Sequence, residues 1–126
     1  MTNDEIRDLV RAALEDLKAE DIVELDVKGK TSVADYIFVA SGNSGRHVKS
    51  IANNVVMESK QAGNQPIGIE GETDADWVLV DLGDVVVHVM QVQARAFYDL
   101  EGLWKVTIEE RQNMQNELEE NLESDD

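Results

Sequence analysis

The chain has 126 residues, 27 acidic against 11 basic, no cysteine, and a formal net charge of −16. That length supports one domain, and an apolar share of 42% is enough to fill its core, which argues against wholesale disorder. Direct readout of naked nucleic acid and docking on an anionic membrane both need a positive footprint that this composition lacks, and the lack of thiols removes disulfides, thiolate zinc sites and cysteine nucleophiles.

The amino terminus, Met1 to Glu5, is acidic and leads into a charged helix, unlike a signal or transit peptide. No apolar run approaches the roughly 18 to 20 residues of a membrane span. A soluble, cytoplasmic protein is expected.

Residues 3 to 19 are expected to form an amphipathic helix, because Ile6, Leu9, Val10, Ala13, Leu14 and Leu17 recur at three- and four-residue spacing. Thr2 and Glu5 have the capping-box spacing, and Asp4 with Glu5 suits the positive end of the helix. Strand-like runs follow at 22–28 and 35–41. Ser44 or Asn43 then caps a second helix over 45–61, whose apolar stripe is Val48, Ile51, Ala52, Val55 and Val56 and which Gly63 ends. Three more strand-like runs cover 66–70, 77–82 and 85–90, the last two joined by a hairpin at Gly83-Asp84. A short helix is expected from Ala94 to Leu100. The order α-β-β-α-β-β-β predicts one α/β domain, a five-stranded mixed sheet with the two main helices on one face.

From Thr107 to Asp126 the composition changes to eight acids and one base, a net of −7. Ile108, Met114, Leu118 and Leu122 give it only a thin apolar stripe. Residues 107–126 are expected to be an acidic carboxy-terminal tail, a frayed helix or disordered, beyond a folded domain at 1–106.

Strand alternation divides the sheet into two faces. One set is almost wholly aliphatic: Val23, Leu25, Val27; Ile37, Val39; Ile67, Ile69; Val78, Val80, Leu82; Val85, Val87, Val89. This is the face expected under the helices. The other set runs from Glu24 and Asp26 through Phe38, Ala40, Gly68 and Glu70 to Trp77, Leu79, Asp81, His88 and Met90. Two long helices do not cover both faces, so this patch is either roofed by the segment Ala94 to Trp104 or exposed as a protein interface rimmed by carboxylates.

Catalytic signals are sparse. Ser41-Gly42-Asn43-Ser44-Gly45-Arg46-His47 joins a strand end to a helix start and reads as a turn with a helix cap, or as a small-anion contact aided by Arg46. It matches neither a P-loop nor a GxGxxG fingerprint. Asp74-Ala75-Asp76 has the spacing of a metal-sharing carboxylate pair, but its expected place is a loop rather than a rigid strand. His47 reads as a surface residue of a first helical turn, His88 as packing or interface, and Asp81 and Asp84 as turn residues. No metal and no cofactor is expected.

Several runs together resemble the ribosomal silencing factor (RsfS, Iojap-like) family: Asp35-Tyr36-Ile37-Phe38-Val39-Ala40-Ser41-Gly42-Asn43-Ser44, Arg46-His47-Val48-Lys49, Gly68-Ile69-Glu70-Gly71, and Trp77 through Val89. The likeness closes with Arg95, Phe97-Tyr98-Asp99-Leu100-Glu101 and Leu103-Trp104 and spans roughly residues 3 to 105. The resemblance implies a nucleotidyltransferase-like fold without a catalytic site. It also implies a factor that binds ribosomal protein number fourteen of the large subunit, blocks joining of the small subunit, and damps translation when nutrients are scarce.

The expected contact residues are Trp77, Leu79, His88 and Met90, rimmed by Glu70 and Asp81. Tyr98, Asp99, Leu103 and Trp104 form a second tier. The same face is also a candidate homodimer surface. The rival reading is a nucleotide-binding or metal-dependent nucleotidyltransferase-like enzyme, and a third is a generic dimerisation module.

Overall fold

A computed structural model of the chain describes residues 1–30, 32 and 34–98. The predicted tail at 107–126 lies outside them. The elements are α1 (Asn3–Asp16), β1 (Glu20–Asp26), β2 (Tyr36–Gly42), α2 (Gly45–Gln61), β3 (Gly68–Glu70), β4 (Trp77–Asp81), β5 (Val85–Gln91) and α3 (Val92–Tyr98). Both long helices begin where their caps predict. Thr2 Oγ1 accepts from Glu5 N while Glu5 Oε1 accepts from Thr2 N, each at 3.1 Å, and Ser44 Oγ accepts from His47 N at 3.1 Å. The short helix α3 starts two residues earlier than expected, directly out of β5, and Leu100 lies beyond the described residues.

The strands form one five-stranded sheet in the order β1-β2-β5-β4-β3. β2 and β5 are parallel, and the other neighbours are antiparallel. α2 therefore carries the chain from β2 to the far edge at β3. The β4–β5 hairpin then brings the last strand back into the gap beside β2. The predicted mixed sheet is present, with both long helices on one face.

Val78, Val80, Val85, Val87 and Val89 are fully buried against Val10, Leu14, Val48, Ile51 and Val55 of the helices. Each such side chain contributes about 1.5 to 3 kcal/mol over its exposed state, so this layer dominates the stability of the domain. The parity expected for β4 and β5 holds, and Ile69 packs on the same cluster.

For β1 and β2 the parity is the reverse of the expected one. Tyr36, Phe38 and Ala40 lie under the helices, whereas Ile37 and Val39 face the other way, opposite Leu25 and Val23 of β1. All seven residues of β2 are buried, so no contrast between a buried and an exposed set was there for alternation to read. Ring size and the helix above decide instead. The guanidinium groups of Arg7 and Arg11 stand 5.1 and 5.9 Å from the ring centroids of Tyr36 and Phe38, and Tyr36 Oη donates to Asp4 Oδ1 at 2.6 Å. Ile67 is a second departure, 71% exposed, because β3 begins only at Gly68 on the sheet edge.

Candidate partner-binding face

The face away from the helices carries Trp77, Leu79 and Asp81 of β4, Glu70 of β3, and Val86, His88 and Met90 of β5. The register fixes their neighbours: Trp77 opposes Met90, Leu79 opposes His88 and Glu70, and Asp81 opposes Val86 and Gly68. Trp77, Leu79, Asp81 and His88 are half-buried and Glu70 is exposed. Toward β2 the face closes over. Val27, Ala34, Ile37, Val39 and Met90 make a second buried cluster, flanked by Leu25, Trp77, Val86 and Ala94.

Met90 was expected on the exposed patch, and the structure corrects this. It is 0% exposed, since its position nearest the β2 end puts it among Ile37, Val39 and the α3 residue Ala94. Among the described residues, the β2 side of the patch is core and the β4 side is half-buried. Tyr98 is the last residue of α3. Asp99, Leu103 and Trp104 lie outside the described residues.

Trp77 stands between two depressions. One, of about 530 Å³, is lined by Gly71, Asp74, Asp76, Trp77, Gln91, Gln93 and Ala94; the other, of about 250 Å³, by Glu70, Gly71, Trp77 and Leu79. Four carboxylates at alternate positions, Glu70, Glu72, Asp74 and Asp76, thus lead up to the indole. The loop that carries them is tightly built. Ala75 N donates to Gly71 O at 3.0 Å, and Ala75 is buried with a φ of +56°. Gln91 holds the loop's far end, its N donating to Asp76 O at 2.9 Å and its Nε2 to Asp76 Oδ1 at 2.9 Å and Ala75 O at 3.2 Å.

Trp77 Nε1 donates to His88 Nδ1 at 2.9 Å, with ring centroids 5.7 Å apart and planes at 48°. Accepting at Nδ1 leaves the imidazole proton on Nε2. Burial disfavours the charged ring and pushes the His88 pKa down to about 4, so the side chain is neutral at physiological pH. Asp81 is a turn residue as well as part of the rim, because its Oδ1 accepts from Gly83 N at 2.9 Å.

The other candidate chemistry is absorbed by structure. Asn43 N donates to His47 Nδ1 at 3.0 Å, and the His47 Nε2 proton points to Leu17 O at 2.7 Å. His47 is therefore a brace between the start of α2 and the end of α1, not the surface residue expected. It takes up the Asn43 N–H, a donor of the turn that could otherwise have met an anion. Asp74 is exposed, Asp76 is held by Gln91, and among the described residues no three metal-ligating side chains come together. Among the described residues, no helix is long and apolar enough to cross a membrane.

The family model described as "Ribosomal silencing factor during starvation" matches residues 2–126. The chain belongs to the ribosomal silencing factor family. It is 50% identical to the ribosomal silencing factor RsfS of Chromobacterium violaceum over 100 residues, 79% of this chain and 82% of that one. It is 44% identical to that of Bacillus subtilis over 104 residues, 82% and 88% of the two chains. A crystal structure of a Chromobacterium violaceum protein superposes with a TM-score of 0.81 at 48% identity, covering 83% of this chain and 88% of that one.

In this chain the signature run from Trp77 to Val89 is the β4–β5 hairpin, so the quoted motif and the half-open face coincide. Reasoning from the sequence missed the Gln91 clamp and the indole–imidazole hydrogen bond. A signal for the bond was present. Trp77 and His88 share a parity on two strands joined by a short turn, which brings them within diagonal reach.

Proposed function

We propose that this chain represses translation by occupancy. Through Trp77 and Leu79 it binds ribosomal protein number fourteen on the large subunit and thereby blocks joining of the small subunit. The observation that carries this reading is the half-open β4 side of the sheet, where one tryptophan and one leucine lie among Glu70, Asp74, Asp76 and Asp81. Membership of the silencing-factor family supports the ribosome as the target.

A joining blocker needs no turnover, so the reading is of a non-enzymatic, cytoplasmic factor. The partner it fits is locally basic. A protein of net charge −16 is repelled by rRNA phosphate at long range, and its acidic rim gains only against lysine or arginine at short range. Among the described residues, no basic side chain lines either depression beside Trp77.

The test is sedimentation of the full chain with purified subunits. The chain is expected to travel with large subunits and to lower the fraction of joined ribosomes. Trp77→Ala is expected to weaken this binding about 30- to 1000-fold, as truncation of a central aromatic anchor does, with the fold retained. Free sedimentation of the wild-type chain, or undiminished joining in its presence, would refute the reading.

A further inference from the structure

Trp77 and His88 are diagonal neighbours across the β4–β5 hairpin, since their direct partners are Met90 and Leu79. Apolar contact with such neighbours holds an indole against the sheet but does little to fix its rotation about χ2. A directional bond at the ring nitrogen does fix it, and Trp77 Nε1 donates to His88 Nδ1 at 2.9 Å. The cross-strand partners of His88 are Val39 on β2 and Leu79 on β4.

We propose that His88 is a positioning residue, which holds the Trp77 indole between its two depressions through Nδ1 rather than touching the ribosomal partner itself. This rests on the reading of Trp77 as the anchor. Only an imidazole unprotonated at Nδ1 can accept the indole N–H, and burial keeps His88 in that form, with a pKa near 4. No charged group among the described residues offsets that burial. From β2 the ring meets Val39, and from β4 Leu79 and Trp77. On the same face, the carboxylates of Asp81 and Glu70 lie opposite Val86 and Leu79 rather than His88. The guanidinium of Arg95 on α3 is directed to Ser41 Oγ at 2.8 Å. Protonation would set N–H against N–H and break this hydrogen bond.

The first arm of the test reads the hydrogen bond without the ribosome. In 1H–15N spectra of the full chain, with the Trp77 indole peak assigned by Trp77→Phe, that peak is expected to stay fixed from pH 7.5 to 5.5 and to move in His88→Leu. A peak that titrates near pH 6.5, as beside an ordinary imidazole, would overturn the proposal. So would a peak indifferent to His88→Leu.

The second arm reads large-subunit affinity at neutral pH. His88→Leu is expected to weaken binding roughly 5- to 50-fold, whereas His88→Gln, whose amide oxygen can accept the same proton, stays within about threefold. In a Trp77→Phe background, which lacks the donor, His88→Leu is expected to cost less than about twofold. An equal cost in both backgrounds, or equal losses for His88→Leu and His88→Gln, would overturn positioning. Unchanged binding by Trp77→Ala would instead sink the contact surface, and with it any role for His88 there, whatever the spectra show. If His88→Leu fails to fold, His88→Gln, Trp77→Phe and the wild-type pH series still decide the matter: loss of affinity in His88→Gln or a titrating indole peak counts against it.

Discussion

The carbonyl oxygen of Trp77 occupies the space in which a β-carbon on Gly71 would stand. Gly71 also has a φ of +89°, so the turn that delivers the acidic loop to the indole tolerates no other residue there. Gly71→Ala must open the turn and is expected to cost about 2 to 4 kcal/mol. Gly29 makes the control. Its φ of +76° is similar, but no atom of the described residues lies within 4 Å of its missing β-carbon. Gly29→Ala is expected to cost only about 1 to 2 kcal/mol. Urea midpoints of the two variants test the contrast; equal losses would mean that the Trp77 carbonyl does not constrain the turn.

Met90 and Leu79 separate stability from binding. Met90 is fully buried, so Met90→Ala is expected to lose about 2 to 5 kcal/mol of stability, while the volume-conserving Met90→Leu loses less than about 1.5 kcal/mol and keeps its affinity for large subunits. Leu79 is half-buried on the open side. Leu79→Ala is expected to reduce affinity with a smaller loss of stability. Thermal unfolding measured beside subunit pelleting would show the opposite ordering if Met90 were the contact residue.

Stability is expected to fall with pH well above the range where carboxylates titrate. The His88 pKa is about 4 in the folded chain against 6.5 for an ordinary histidine. The unfolded state therefore binds the proton first, and stability present above pH 6.5 drains away as pH falls toward 4. Between pH 7.5 and 5 the loss from this residue is about 2 kcal/mol. Asp4 and Glu5, held low mainly by the Tyr36 hydroxyl and by the Thr2 backbone N–H respectively, add their own loss only at lower pH. Urea unfolding of wild type and His88→Gln across this interval provides the check. Parallel pH profiles would disprove the assignment.

Residues 107–126 carry a net charge of −7, which a ribosomal surface dominated by phosphate repels. Deleting them is expected to raise the association rate with large subunits at low salt, and the gain is expected to shrink as the Debye length falls toward 8 to 10 Å near physiological ionic strength. Stopped-flow association at two salt concentrations measures it. Slower association after truncation would identify the segment as a docking element.

Element types were legible because each rests on a local rule. Thr2, Ser44 and the Gly83-Asp84 turn mark their boundaries, and the two helical stripes at Ile6–Leu17 and Val48–Val56 point to their buried sides. The facing of β2 was not legible. A strand buried on both sides offers no contrast between Ile37 and Phe38, and only the position of Arg7, Arg11 and Asp4 above it breaks the tie. Strand order was hidden for a related reason: Val85–Gln91 is aliphatic enough for any central place, and only assembly puts it beside β2. At the candidate face the sequence showed which residues share a parity. It did not show depth, so Trp77 and Met90 looked equivalent although one is half-buried and the other is core.

The central position of β5 governs when this domain can form during its own synthesis. Until residue 91 has been made, β2 has a strand neighbour on one side only, and its other edge stays unpaired. β1–β2 and the two long helices are complete by residue 61, yet the strand that joins them to β3 and β4 arrives last. Folding is therefore a single late event that waits on contacts distant in the chain, a high-contact-order closure rather than stepwise accretion. A nascent chain halted before Val85 holds a largely apolar strand with an open edge, which makes it a substrate for chaperones or for aggregation.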